Sequence, residues 1–196
     1  LHPQPDTKNG ISIYNLLPGD GSGASSMGFI IVENIVEDVL DVAIDFAGNG
    51  PTVGTISHNY VNQHHSGQYG IGVEVETSDS WNNGRIVING NIVEGCNSAG
   101  ISVGVDAAAA FPSSIAIVGN MITNSDHDAI QINGSRITVT GNLIDGFGLS
   151  LAGGAAGNGI GYGAVHARVY DSITISSNSI ASGNCELTSP HRGILM

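Results

Sequence analysis

Basic residues are nearly missing from this chain: 5 Lys and Arg stand against 17 Asp and Glu in 196 residues, a formal net charge of −12. So acidic a surface repels phosphate backbones and anionic lipid, which excludes nucleic-acid and membrane-surface partners. It also disfavours a polyanionic glycan unless a cation such as Ca²⁺, with its many oxygen ligands, bridges the two. Cysteine is scarce, with 2 in the chain. Cys96 and Cys185 fall three repeats apart in the frame described below, roughly 14 Å by inter-strand spacing, which is too far for a disulfide. No run of 18 apolar residues occurs, so no membrane-spanning helix is expected. A helical period is missing too, and nothing forces a helix longer than a turn.

What the chain has instead is a repeat rich in Gly, Asn and β-branched residues. A small residue followed by Ile recurs at Gly10-Ile11, Ala43-Ile44, Gly70-Ile71, Gly100-Ile101, Ala129-Ile130, Gly159-Ile160 and Gly193-Ile194. The gaps between these anchor isoleucines are 33, 27, 30, 29, 30 and 34 residues. Two positions after each comes Ile13, Phe46, Val73, Val103, Ile132, Tyr162 or Met196, so apolar side chains alternate inward at the period of a strand. The outward sites between them hold Ser12, Asp45, Gly72, Ser102, Gln131, Gly161 and Leu195.

The second half of the repeat is built on Asn34, Asn59, Asn91, Asn120, Asn142 and Asn178. Ile or Val stands three residues before each and two residues after each. β-branched residues suit a packed, pleated surface and form helices poorly, so both flanks are expected as strands. The Asn itself is expected in a tight left-handed bend, a conformation it tolerates, with successive Asn side chains bonded as a ladder. The Gly or Ala before each anchor is expected to give the chain room to turn into the next strand.

A period near 30 without helical patterning is too short for a propeller blade. It specifies an all-β, right-handed, single-stranded parallel β-helix: about six coils of ~30 residues, three short strands per coil, stacked at about 4.8 Å. Residues 1–196 form one such domain. The chain begins at Leu1 and stops at Met196 inside an expected strand. The expectation is a fragment lacking its end caps, or ends that pack on another chain, because an open coil exposes a sheet edge. A Pro/Gly/Ser loop at 16–27, a polar insertion at 76–84 and an Ala-rich one at 106–114 interrupt the repeat, and two longer insertions, 145–159 and 181–192, leave from one side. Loops on a rigid scaffold commonly carry function.

This repeat, over residues 8–196, resembles the pectate-lyase-like superfamily of parallel β-helices. The resemblance implies an extracellular, cell-surface or virion location and an extended polysaccharide lying in a groove along the stacked strands. The Gly-His-Gly and Arg-x-Lys of polygalacturonases, the Asp-Pro-His-Glu of alginate epimerases and the basic catalysts of the lyases have no counterpart here, so the reaction stays open.

Three groups of residues could carry chemistry. Asp126, His127 and Asp128, with Gln131 facing outward beside them, combine carboxylates with a residue that titrates near neutrality, as acid–base cleavage of a sugar polymer requires. The plain alternative for Asp128 is a turn position that Asn9 and Asn158 fill elsewhere. His64 and His65, with Gln68 and Tyr69, lie two coils earlier, roughly 10 Å away by strand spacing, which would put a second acid–base group across a sugar-sized cleft left open by Ser98. Their alternative is a solvated polar loop. Glu74, Glu76 and Asp106 form an acidic column, with Glu76 and Asp106 expected about 5 Å apart, and so are a candidate Ca²⁺ or sugar-hydroxyl site or simply solubilising charge. His191 and Arg192 could pair with a substrate carboxylate.

The favoured reading is a carbohydrate-active enzyme that binds and cleaves an extended polysaccharide by carboxylate and His acid–base chemistry, catalysed by Asp126, His127, Asp128 and His65. A uronate polysaccharide lyase or C5-epimerase, Ca²⁺-dependent to offset the negative field, is the second. A non-catalytic spike or adhesin, assembled as a homo-oligomer such as a trimer, is the third.

Overall fold

The computed structural model describes residues 9–15, 27–48, 52–75, 85–105, 114–134, 136–149, 163–169, 172–183 and 192–195. Among them there is no helix, and every strand pairs in parallel with its neighbours in a β-solenoid of three strands per turn. Face A stacks seven strands: Ile11–Asn15, Val42–Gly48, Tyr69–Val75, Ile101–Val105, Ile130–Gly134, Gly163–Val169 and Arg192–Leu195. Face B stacks six: Met27–Val32, Thr52–Ser57, Arg85–Asn89, Ser114–Val118, Ile137–Thr140 and Ile173–Ser176. Face C stacks six short ones: Ile35–Glu37, Tyr60–Asn62, Ile92–Glu94, Met121–Ser125, Leu143–Phe147 and Ser179–Gly183.

The anchor isoleucines lie above one another. Ile11 pairs with Ile44, Ile44 with Ile71, Ile71 with Ile101 and Ile101 with Ile130. The next step departs from the expected frame: Ile130 pairs with Val165, not Ile160, and Val165 pairs with Ile194. The spacing grows by five residues at this step, so Ala164-Val165 takes the anchor place and His166, paired with Gln131, takes the place assigned to Gly161. Inside, Ile44, Phe46, Ile71, Ile101 and Ile130 meet Ile56, Ile86, Ile88 and Ile117 of face B and Ile122 of face C, all fully buried.

The bend between faces B and C is where the stack is pinned. The Asn59 side-chain amide donates to Asn91 Oδ1 at 2.9 Å, and in the same way Asn91 donates to Asn120 at 2.9 Å, Asn120 to Asn142 at 3.0 Å and Asn142 to Asn178 at 2.8 Å. Each accepting oxygen also takes the backbone N–H of the preceding Asn, and each amide donates a second bond to a strand carbonyl of the preceding coil, as from Asn91 to Ile56. The expected left-handed Asn is not observed. The left-handed residue is the one before it: Glu33, His58, Gly90, Gly119, Gly141 and Ser177 have φ between 54° and 67°. The Asn is reserved for the ladder because its amide can donate and accept at once.

The small residue before each anchor answers to packing more than to chain direction. A Cβ on Gly70 would fall 2.3 Å from Val93 Cγ1, and one on Gly100 2.4 Å from Ile122 Cγ2. The branched residue of face C fills that space. Gly54 does the same for a larger group: its missing Cβ would sit 2.2 Å from Phe29 Cε1, and Phe29 stacks on Phe46 with ring centroids 4.9 Å apart.

Two mutational outcomes follow. Asn120→Leu should cost about 3 kcal/mol or more, since it strands buried partners on both adjacent coils, measured as a lower urea midpoint at constant slope. Gly54→Ala should cost about 1–3 kcal/mol through overpacking. In a Phe29→Leu background, where the obstructing ring atoms are gone, the same change should cost less than half as much, and simple additivity in that cycle would refute the clash.

Candidate functional site

The corner from face C to face A carries the densest polar chemistry of the described residues. Of the four corners described throughout, three turn in the same length: ten positions separate Asn34 from Ile44, Asn91 from Ile101, and Asn120 from Ile130. From Asn59 to Ile71 there are twelve. The two additional residues make Gln63–Gln68 a protruding turn, closed by the Ser66 N–H and hydroxyl donating to the Gln63 carbonyl at 2.7 and 2.6 Å. The buried Gln63 side chain braces it from below, accepting from the Val39 N–H and donating to the Tyr69 carbonyl, both at 3.0 Å.

On this protrusion His64 and His65 both have left-handed backbones, with φ of 44° and 62°. Consecutive non-glycine residues in that region are uncommon and cost free energy, a condition that concentrates at functional sites. Their rings point to different neighbours. His64 Nδ1 lies 2.6 Å from Asp38 Oδ1 on the preceding coil. His65 Nδ1 lies 2.9 Å from Asp126 Oδ1, two coils the other way. Both imidazoles stay about half exposed, at 55% and 46%, whereas the Asp126 side chain is only 17% exposed.

This overturns the expected 10 Å gap between the two histidine groups. The enlarged turn leans outward across Gly95, whose absent Cβ would lie 3.1 Å from the His64 backbone nitrogen, and His65 thereby spans the intervening coil. Ser98 does not open a cleft. It is half-buried, its N–H donates to the Gln68 carbonyl at 2.8 Å and its carbonyl accepts from the His127 N–H at 3.1 Å.

The other expected site residues are placed less centrally. Asp128 is buried and its carbonyl accepts from the Gly100 N–H at 3.3 Å, as a turn-filling residue would. His127 is partly buried beside it. Gln131 lies on the outer side of face A, where its Oε1 accepts from the Ser102 hydroxyl at 3.5 Å. Gln68 is exposed and Tyr69 half-buried at the start of its strand. Arg192 opens the last strand of face A. His191, Glu76 and Asp106 lie outside the described residues. Glu74 is exposed on the outer side of face A, and no cluster of three ligating side chains occurs among the described residues. Cys96 is a free, buried thiol whose pKa burial pushes up to about 12, so it is no nucleophile at neutral pH.

Two acids had not been singled out as site residues. Asp38 is reached by counting forward from its ladder Asn, which puts it on the same corner as His64. Asp45 was visible as an outward residue of face A, yet it is buried at 7% exposure. Its Oδ2 accepts from the Asn9 amide at 2.8 Å and the Tyr14 hydroxyl at 3.2 Å. Burial raises its pKa above the ordinary 3.8; the Tyr14 bond opposes this, and the charges of Glu74 and Asp41 add to the rise.

Comparison with protein-family models, with curated proteins and with solved structures finds no match.

Because the folded state raises the Asp45 pKa, the stability it contributes is fully present below pH 3.8 and is lost as pH rises through the folded value. Asp45→Asn keeps an oxygen for Asn9 and Tyr14 and carries no charge. Its stability relative to wild type should therefore climb as pH rises above 3.8. Paired urea titrations across pH would expose the reverse or a flat difference.

Proposed function

We propose that this chain binds an extended polysaccharide along its stacked strands and cleaves it by acid–base chemistry at the His64–His65 corner. The observation that carries the reading is the pair of carboxylate-oriented imidazoles on consecutive strained residues. A carboxylate accepting from Nδ1–H fixes the tautomer that leaves the Nε2 lone pair to act as a base, and it stabilises the imidazolium once formed. In a hydrolytic step one imidazolium protonates the departing glycosidic oxygen as its bond to the anomeric carbon breaks. The other imidazole takes the proton of the water that attacks that carbon. His65 with Asp126, and His64 with Asp38, supply the two groups. Gln68, on the histidines' own turn, and His127, beside Asp126 two coils on, are assigned to holding the sugar.

The likeness of the repeat to pectate-lyase-like proteins supports a glycan substrate and an extracellular setting. The carboxylates of Asp38 and Asp126 beside the histidines favour a neutral glycan over a uronate polymer, for which a bridging cation would be needed.

Digestion of a panel of neutral and uronate polysaccharides, with and without chelator, tests this. Wild type should release reducing ends from a neutral glycan without the ultraviolet absorbance of an unsaturated uronate. His65→Gln should lower turnover about 10²-fold or more, and Asp126→Asn should lower it while shifting the pH profile. Turnover unchanged in both variants, or none by the folded wild type on any member of the panel, would dismiss the site.

A further inference from the structure

Two outward rows run along the described strands of face C, and they differ sharply in chemistry. The first pairs Ile35, Tyr60, Ile92, Met121 and Leu143 in successive coils. Its aliphatic members are exposed by 74%, 40%, 38% and 43% in chain order, an uninterrupted apolar stripe about 19 Å long at the inter-strand spacing. The second row, two residues further along each strand and so about 7 Å away, pairs Glu37, Asn62, Glu94, Thr123 and Asp145. Carboxylates stand on every second coil.

We infer that face C is a docking surface for a cationic amphipathic helix lying along the solenoid axis. Two spacings point to that occupant. Helical neighbours at i and i+3 or i+4 stand about 5–6 Å apart, close to the step between coils, so the apolar side of a helix meets the stripe residue for residue. Basic residues at i and i+7 stand about 10.5 Å apart, against about 9.6 Å between carboxylates two coils apart. A flexible Lys or Arg stem absorbs the difference. An exposed apolar stripe of this size beside a single-sign charged row is unusual on a free surface.

Other occupants fit less well. A second copy of the chain would set carboxylate rows near each other on molecules that already carry −12 each. A glycan needs hydrogen-bonding groups that the aliphatic members of the stripe do not have. An anionic bilayer would be repelled by the acidic row. The inference stands apart from the proposed acid–base site and uses none of its residues.

The test is a fluorescence-anisotropy titration of the whole chain with a labelled 18-residue Leu/Ala/Lys peptide. Its leucines occupy i, i+3, i+4 and i+7 and its lysines repeat every seventh position. Two control peptides carry the same composition scrambled, or Glu in place of Lys. Saturable binding of the first peptide alone is expected. It should weaken at least tenfold in Ile92→Thr/Leu143→Thr, a change that puts strand-favouring β-branched residues at both positions. Glu37→Gln/Asp145→Asn should weaken it and flatten its salt dependence. Circular dichroism of both variants checks that the fold persists. Binding of all three peptides alike, or no binding, or indifference to the stripe variant would overturn the inference. So would concentration-dependent self-association in sedimentation that the stripe variant abolishes, since the occupant would then be a second copy.

Discussion

A solenoid of stacked parallel strands has to satisfy the backbone of its bends from within, because each coil's turn is covered by the next. The Asn ladder meets that requirement at the corner between faces B and C. Asn59, Asn91, Asn120 and Asn142 are buried, and each joins one coil to both neighbours through its amide and its oxygen. No other side chain of that size offers two donors and a double acceptor in one plane. Asp would lose the donation, and Gln would place the same group one carbon too far out. Register is fixed at this corner, and every pairing on the three faces inherits it.

Given that register, the cross-section leaves little freedom in side-chain size. The branched residues of face C reach toward the chain just before each face A anchor, so Gly70 and Gly100 have no room for a Cβ. Where the core admits a ring, as at Phe29, the compensation appears on the next coil as Gly54. Small residues therefore track large ones across coils. Loss of volume at one site is set by gain at another, the behaviour expected of an interior packed to crystal-like density.

Much of this was legible in the sequence. A β-branched residue at nearly every inward position and an Asn at a constant place in the repeat identify a parallel solenoid, and four of the anchor steps pair as the period implies. Three details were not legible. The left-handed residue at the bend is Glu33, His58 or Ser177 as readily as Gly, because the strain is local and the ladder overrides propensity. The Val165 anchor was hidden because the sequence offers a matching Gly159-Ile160 five residues earlier, at the expected spacing. The contact between His65 and Asp126 was hidden by the frame used to align coils. Counted back from the anchors, the two residues fall at different offsets; counted forward from Asn59 and Asn120, both are sixth. The forward count is the physical one, because the ladder fixes the start of the corner and the added residues spill out after it.

That asymmetry bears on why chemistry is read at this corner. A coil held rigidly at Asn59 and again at Ile71, with two residues more than it needs between them, must push the surplus outward. The surplus is the turn on which both histidines take left-handed backbones. A turn serving only to bridge the strands would be satisfied by Gly or Asn at those positions, as Gly95 and Asn124 satisfy the corners after it. Placing two imidazoles there costs backbone strain, and the Asp38 and Asp126 contacts at the half-exposed rings offset only part of that cost, since exposed ion pairs contribute little. Stability alone does not account for the arrangement. What it achieves is two half-exposed imidazoles, each oriented by a carboxylate of a different coil, on a scaffold whose register is pinned at the next corner.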